Sequence, residues 1–113
     1  MATGVPDAPD SLEVTNLEKN AVSLRWKKPK YDGGVQISHY IVEKREDLTG
    51  EWSKVKQVDN FNFTITIPGL KPEKKYFFRV SAKNSIGVGE PKQLFEPVIP
   101  SKPIGKTSMR NLN

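Results

Sequence analysis

The stretch from Asn84 to Pro91, NSIGVGEP, is the first place in this sequence where chemistry could be located, because glycine-rich loops can bind phosphate. A phosphate-binding loop must lead from a strand into a helix whose N-terminal amides face the anion. Here Pro91 follows at once, two further prolines come soon after, and no Gly-Lys-Ser/Thr follows. The stretch therefore predicts a hairpin between two strands. In it Gly87 and Gly89 supply positive φ angles, and the Asn84 side chain binds the turn backbone.

Acid–base and nucleophilic chemistry has few candidate residues. His39 is the only histidine, and strand alternation predicts that it faces away from the core, as a lone solvated side chain. No spacing brings Ser38 or a carboxylate to it, and Glu46 and Asp47 are adjacent at a turn, where side chains diverge. The absence of cysteine excludes thiolate metal sites, disulfides and a cysteine nucleophile. We predict no catalytic, cofactor-binding or metal-binding residues, and no enzyme.

The net charge of +5 is unevenly distributed. The tail after residue 99 holds Lys102, Lys106 and Arg110, so residues 1–99 carry 15 basic and 13 acidic side chains. This near balance argues against nucleic-acid binding. No apolar run reaches the roughly 20 residues that span a bilayer, and residues 1–10 lack the apolar core of a signal peptide. Neither a nucleic-acid nor a membrane partner is predicted.

Lysines and one tryptophan form the candidate partner-binding surface. Three lysines crowd one loop, two mark an edge strand, and another three crowd a turn at the opposite strand ends. One interpretation is that they keep the surface soluble and block strand-to-strand aggregation. The other is an electrostatic dock for an acidic partner. Trp52 either covers the edge of the core or anchors a partner. The candidate binding residues are Lys27, Lys28, Lys30, Trp52, Lys54 and Lys56.

Short alternating segments separated by turns provide the framework for these residues. The segment 76–83 places Tyr76, Phe78, Val80 and Ala82 inward, with Phe77 as an exposed exception, and 61–67 alternates strictly. With two weaker segments, near Glu51–Val58 and Lys92–Val98, the count reaches seven, which is typical of an antiparallel β-sandwich. The other side chains predicted to face inward are Leu12, Val14, Val22, Leu24, Trp26, Tyr40, Val42, Phe61, Phe63, Ile65 and Ile67.

An ordered set of residues resembles the fibronectin type III family over residues 6–99. The set comprises Pro6 and Pro9, VSLRW ending at Trp26, Pro29, DGG at 32–34, Ile37, Tyr40, Val42, Leu70, Tyr76, and FRVSAKNSIGVGEP. The resemblance implies a seven-stranded, antiparallel, immunoglobulin-like β-sandwich. In this fold the Tyr76 hydroxyl bonds to upstream backbone, as a tyrosine corner. The implied core signature is Trp26, Tyr40, Leu70, Tyr76 and Val80.

The run from Trp26 to Arg45, with YDGG and YIVEKR, is similar to domains of titin- and twitchin-like giant muscle proteins, and of myomesin and myosin-binding protein C. This narrower resemblance implies a cytoplasmic, non-catalytic module in the sarcomere, in the thick filament or M-band. There it would act as a mechanical spacer beside immunoglobulin-like and fibronectin type III neighbours, with myosin as a partner. The isolated domain is expected to be a monomer.

Two alternatives remain open. The same fold occurs in receptor and adhesion ectodomains, and Asn62-Phe63-Thr64 satisfies the pattern for N-glycosylation. An enzyme or nucleotide binder is the third class, and a helix after Pro91 or a nucleotide-dependent rise in melting temperature would support it. We expect residues 1–5 to be a linker or residues added for expression, 6–99 to be the domain, and 100–113 to be a polar, disordered tail or linker.

Overall fold

The computed structural model describes residues 2–47 and 50–101, so the tail prediction for 100–113 lies almost wholly outside the described residues. All regular elements within these ranges are strands, as the alternation predicts. No helix in the described ranges is long and apolar enough to cross a membrane. The seven strands are β1 (Ser11–Glu18), β2 (Ala21–Lys27), β3 (His39–Glu46), β4 (Ser53–Asp59), β5 (Thr64–Ile67), β6 (Tyr76–Lys83) and β7 (Lys92–Gln93).

The strands form two antiparallel sheets. One has the order β1-β2-β5 and the other β4-β3-β6-β7. Each sheet has one apolar face, and the two faces cover each other, which gives the predicted β-sandwich. We call the end of the sandwich where β2 and β6 finish and β3 begins the N-terminal pole. The opposite end, where β6 begins at Tyr76, is the C-terminal pole.

The core contains the residues that strand alternation places inward. Val22, Leu24 and Trp26 of β2 pack against apolar residues of β3 and β6. The backbone N–H of Lys71 donates to the Tyr76 hydroxyl over 2.8 Å, so Tyr76 forms the tyrosine corner with upstream backbone. All five signature side chains are at most 4% exposed: Trp26, Tyr40, Leu70, Tyr76 and Val80.

Two predictions of inward-facing residues are wrong. Phe61 is 82% exposed, because β5 begins only at Thr64 and residues 59–62 form a turn. The Asp59 carboxylate accepts the backbone N–H groups of Phe61 and Asn62, which holds that turn and turns Phe61 outward. Val14 is 39% exposed on the edge strand β1, where a register shift after Val14 interrupts the pairing with β2.

The lysines predicted to mark an edge strand do so. Lys54 and Lys56 lie on β4, which pairs with β3 and with no other strand of the described residues, and both are exposed. Lys54 is opposite Glu43 and Lys56 is opposite Val42, with a register shift between the two pairs. Charged side chains and an irregular ladder both hinder another strand from adding to this edge.

Candidate functional site

The six candidate binding residues fall on two separate surfaces. Lys27 is the last residue of β2 in the three-stranded sheet, and Lys28 and Lys30 follow it in the loop at the N-terminal pole. Trp52 precedes β4 at the edge of the four-stranded sheet, and Lys54 and Lys56 follow it on that strand. No single patch therefore joins all six. Each surface has its own geometry and its own available chemistry.

The first surface is a groove at the N-terminal pole, which we call the lysine groove. It has a volume of about 640 Å³ and is lined by Asp10, Arg25, Trp26, Lys27, Lys28, Pro29, Lys30 and Phe63. The Trp26 backbone N–H donates to the Phe63 carbonyl over 2.9 Å, which fixes one wall against the other. A second depression of about 430 Å³ shares Lys28, Pro29, Lys30 and Phe63. The two together form an elongated surface.

The lysine groove has more cations than anions. Lys30 is 3.9 Å from Asp10, and its side chain is 82% exposed, so this ion pair is weak. Arg25 is paired with Glu13 of β1. Lys27 and Lys28 form no ion pair with any residue in 2–47 or 50–101. The groove thus presents at least two uncompensated positive charges around an apolar floor.

Trp26 has an unusual feature for a buried indole. Its ring packs against Tyr40 with a centroid distance of 5.5 Å, and Tyr40 packs edge-on against Phe63 at 5.9 Å. The indole Nε1 is buried, yet it has no hydrogen-bond acceptor among the described residues. Buried indole N–H groups usually find an acceptor. The free donor belongs to a residue that lines the lysine groove.

The second surface is a stack of side chains on the outer face of the four-stranded sheet, which we call the arginine–tryptophan stack. The Arg79 guanidinium lies 4.3 Å from the Trp52 ring centroid, and the Arg45 guanidinium lies 4.9 Å from Trp52 and 5.1 Å from Phe77. Arg79 Nε also donates to Glu43 Oε1 over 2.7 Å. The attraction between a guanidinium group and an aromatic ring is strongest when the pair is partly removed from water.

This stack answers the question about Trp52. The ring is half-buried, but it packs against outward-facing arginines rather than against the edge of the core, so the core-edge expectation is wrong. Phe77 is likewise half-buried under Arg45 rather than simply exposed. Sequence reasoning missed Arg45 and Arg79 as members of this surface. The alternation of Arg45 and Arg79 with inward-facing residues of β3 and β6 could have indicated that both arginines lie on the outer face of the sheet.

The loop NSIGVGEP forms the predicted hairpin turn, but its glycines act differently from expectation. Asn84 N donates to the Gly87 carbonyl, and Gly89 N donates to the Ala82 carbonyl. The positive-φ glycines among the described residues are Gly33, Gly34 and Gly69, so the prediction for Gly87 and Gly89 is wrong. Gly89 is instead a point of close approach. A Cβ there would lie 2.0 Å from the Pro6 carbonyl oxygen.

We expect Gly89→Ala to lower the free energy of unfolding by about 1–3 kcal/mol, because the methyl group has to displace the backbone at Pro6. Gly87→Ala is the matched control, since a Cβ there meets only the Val5 side chain, at 3.3 Å. Urea denaturation of both variants measures the difference. Equal losses in the two variants would contradict the close-approach explanation.

Asn84 contacts both the hairpin and distant parts of the chain. Its Oδ1 accepts the N–H groups of Ile86 and Gly87, as predicted for the turn backbone. Its Nδ2 donates to the carbonyls of Gly4 at 2.8 Å and Asp32 at 2.9 Å. The side chain is fully buried. Asn84 therefore connects the last hairpin, the β2–β3 loop and the N-terminal segment.

His39 lies at the start of β3, opposite Asp59 on β4 and Lys83 on β6. Ser38 Oγ lies 3.0 Å from His39 Nδ1, but the same hydroxyl also donates to the Lys83 carbonyl. The Asp59 carboxylate oxygen accepts the N–H groups of its own turn, so these three residues do not assemble a triad. No group of three or more histidine and acidic side chains within 2–47 and 50–101 could hold a metal ion.

The pKa of His39 lies below its ordinary value of 6.5, first because of partial burial and then because of the positive charges of Lys83 and Lys54. The folded state therefore binds the proton less readily than the unfolded chain. Its contribution to stability is complete above about pH 6.5 and is lost as the pH falls through the lowered folded pKa. We expect the melting temperature to fall more between pH 7.5 and 5.5 in the wild type than in His39→Gln. An equal fall in both would contradict this.

Comparison with known proteins agrees with the β-sandwich fold described above. The family model described as "Fibronectin type III domain" matches residues 7–98. The chain belongs to the fibronectin type III family. Fibronectin type III domains are generally non-catalytic structural modules, and the depressions at the N-terminal pole are surfaces of such a module.

Several relatives of this fibronectin type III domain are giant or multidomain proteins. The chain is 38% identical over 86 residues to titin of Drosophila melanogaster, covering 76% of the chain and 0% of titin after rounding. It is 36% identical over 97 residues to human myomesin-2, and the match covers 84% of this chain and 7% of myomesin-2. It is 35% identical over 94 residues to mouse Roundabout homolog 1, covering 83% and 6%. The chain therefore corresponds to a small part of each relative.

Solved structures of twitchin and titin domains superpose on most of the chain. The twitchin kinase region from C. elegans gives a TM-score of 0.82 at 33% identity, covering 91% of this chain and 18% of that one. A structure of titin domains A168–A170 gives a TM-score of 0.79 at 34% identity, and the match covers 89% of this chain and 34% of that one. A single titin module from human cardiac muscle gives 0.69 at 33% identity, covering 87% and 92%. The chain thus has about the extent of one titin module.

Proposed function

We propose that this domain is a non-catalytic structural and protein-binding module of a sarcomeric giant filament protein. It would act as a mechanical spacer in a tandem array of fibronectin type III and immunoglobulin-like domains. Its likeness to single modules of titin, twitchin and myomesin-2 is the observation that carries the proposal. The parent protein would lie in the thick filament or M-band region, inside the cell.

The way the chain enters and leaves the sandwich supports the spacer role. At the N-terminal pole, Gly4 N donates to the Gly33 carbonyl and Asp7 N donates to the Tyr31 carbonyl. At the C-terminal pole, Val98 pairs with Tyr76, and Glu73 N donates to the Pro100 carbonyl. The eight residues of β6 separate the poles, by roughly 23 Å at about 3.3 Å per residue. Neighbouring domains would therefore attach at opposite ends of a rigid unit.

The two charged surfaces support a partner-binding role in addition to the spacer role. The lysine groove is open at one pole, and Lys54 and Lys56 line the edge strand β4. A thick-filament partner such as myosin would be attracted by these cations over a range set by the ionic strength. Cosedimentation with myosin filaments tests this part of the proposal. Binding that does not weaken between low and physiological salt would rule out the electrostatic dock.

Localisation tests the sarcomeric role directly. We would stain permeabilised striated muscle and intact cells with an antibody raised against this domain. Regular stripes in the thick-filament region are the expected result, with no stain on intact cells. Staining confined to the surface of intact cells would overturn the proposal.

A receptor or adhesion ectodomain is the second candidate function, because Roundabout homolog 1 is similar to this chain at nearly the same identity. Asn62 is exposed in its glycosylation pattern, although its Nδ2 donates to Asp59 over 3.1 Å in the turn. Glycan occupancy at Asn62 in protein isolated from its natural source would favour this candidate. An unmodified Asn62 together with sarcomeric stripes would favour the first.

A further inference from the structure

The floor of the lysine groove is apolar. Trp26, Pro29 and Phe63 line it, and the volume of about 640 Å³ is within the range of protein sites that take up organic side chains. The adjoining depression extends the surface past Ile37 and Asn60. An apolar floor that continues into a more polar depression suits an extended chain that places one apolar side chain on the floor and polar groups beyond it, more than it suits a compact small molecule.

The rim of the lysine groove selects the charge of that chain. Lys27 and Lys28 have no acidic partner among the described residues, and Lys30 is only loosely held by Asp10. Acidic side chains spaced along a bound segment would meet these lysines, while a basic segment would be repelled. Asp10 is the single acidic residue of the groove lining, and Asp32 is the acidic residue that lines the adjoining depression.

The unpaired Nε1 of Trp26 is an independent indication of a missing acceptor. Leaving a buried N–H without a partner is unfavourable, and the residue that carries it lines the lysine groove. A peptide supplies carbonyl and carboxylate oxygens that accept such a bond once a small shift of the groove lining uncovers the nitrogen, which is buried in the free domain. Nucleic acid fits less well, because single strands are usually bound by stacking several bases on exposed aromatic faces, whereas Phe63 is the only partly exposed aromatic ring in the lining of the lysine groove.

We propose that the lysine groove binds an acidic, extended peptide segment of a partner protein, with an apolar side chain against Phe63, beside the buried Trp26 and Pro29, and with carboxylates on the lysines. This inference deepens the partner-binding part of the proposed function and rests on it. The test below is independent of where the parent protein lies. If the antibody stains stripes in muscle but no peptide binds, only the peptide-binding proposal is overturned. If the peptide binds but the antibody stains the cell surface, only the sarcomeric role is overturned.

Three synthetic peptides of about ten residues test the chemistry. One alternates glutamate with leucine, one alternates glutamate with serine, and one alternates lysine with leucine. Fluorescence anisotropy with labelled peptides gives Kd at about 50 and 300 mM NaCl. We expect the glutamate–leucine peptide to bind at least about tenfold more tightly than the other two, with Kd rising severalfold at the higher salt. No binding of this peptide at about 1 mM would overturn the proposal.

Charge-matched variants locate the binding. Lys28→Glu combined with Lys30→Glu should weaken the glutamate–leucine peptide by at least about tenfold. Lys71→Glu combined with Lys75→Glu makes the same change in net charge on exposed residues of the β5–β6 loop, near the C-terminal pole, and should leave the affinity unchanged. Equal weakening in both double variants would show that only the net charge matters, and would overturn the proposal.

Two further measurements test contact with the floor. Trp52→Phe makes Trp26 the only tryptophan, and the unlabelled glutamate–leucine peptide should then change its emission. An unchanged emission at saturating peptide would place the bound segment elsewhere and overturn the proposal. A thymidine oligonucleotide of about ten bases tests nucleic acid as the alternative class of ligand. Binding of this oligonucleotide as tight as that of the acidic peptide would show a general polyanion surface, and would also overturn it.

Discussion

Replacing Trp26 by alanine is expected to lower the free energy of unfolding by about 3–5 kcal/mol, a large share of the 5–15 kcal/mol typical of a small domain. The indole is 2% exposed and packs against Tyr40 between the two sheets. Its removal leaves a cavity that the pairing of β2 with both β1 and β5 prevents from closing. Urea denaturation followed by circular dichroism measures the change without relying on the deleted fluorophore.

Two further variants keep this prediction testable if Trp26→Ala does not fold. Trp26→Phe shrinks the ring but also removes the unpaired Nε1 donor, so we expect a smaller cost, about 1–2 kcal/mol. Trp52→Ala removes the other tryptophan, whose contacts are two guanidinium groups on an outer face, and should cost about 1 kcal/mol. Similar costs for alanine at both positions would contradict the central role of Trp26.

Strand alternation was sufficient to predict the core because it is a local property. On β2, β3 and β6 the buried apolar residues recur at a spacing of two, so Leu24, Val42 and Phe78 could be placed inward from the sequence alone. Ser81 of β6 departs from this rule, since it is buried although alternation places it outward. The same rule extended β5 too far toward Phe61. There the Asp59 carboxylate competes for the backbone N–H groups and forms a turn, and a hydrogen bond to a side chain is not visible in an apolar pattern.

The candidate surfaces depend on contacts between residues that are far apart in the sequence. Arg45, Trp52 and Arg79 come from three segments and meet only after β3 lies between β4 and β6. Glycine is required at position 89 because of Pro6, which is more than 80 residues away in the sequence. A local turn rule therefore gave the wrong explanation for this glycine, a positive φ angle. Lysine clustering in the β2–β3 loop was visible in the sequence. The apolar floor beneath it was not, because Phe63 comes from the distant segment that precedes β5.

Asn84 is the residue for which we expect the second-largest effect. The loss of its amide in Asn84→Ala leaves two N–H groups, of Ile86 and Gly87, and two close carbonyls, of Gly4 and Asp32, without their partner. Each unsatisfied buried group costs about 1–3 kcal/mol, and relaxation toward water recovers part of this. We therefore expect a loss of about 2–4 kcal/mol in the free energy of unfolding, measured by urea denaturation.

The two ends of the amide can be separated by Asn84→Asp. This variant keeps an oxygen for Ile86 and Gly87 but turns a second oxygen toward the carbonyls of Gly4 and Asp32, where a donor is required. At neutral pH the buried carboxylate should cost at least as much stability as alanine. Repulsion by the carbonyls and burial both raise the pKa of the introduced carboxyl group, so protonation restores a donor as the pH falls.

The pH dependence distinguishes a cross-linking amide from one that only shapes the hairpin. The gap in unfolding free energy between Asn84→Asp and the wild type should narrow from about pH 7 to about pH 4, since the protonated carboxyl can donate to Gly4. The gap for Asn84→Ala, which has nothing to protonate, should stay constant over the same range. A constant gap for both variants would mean that the bonds to Gly4 and Asp32 contribute little. In that case the N-terminal segment would be held by its other contacts, which include backbone hydrogen bonds with Tyr31 and Gly33 and the packing of Pro6 against Gly89.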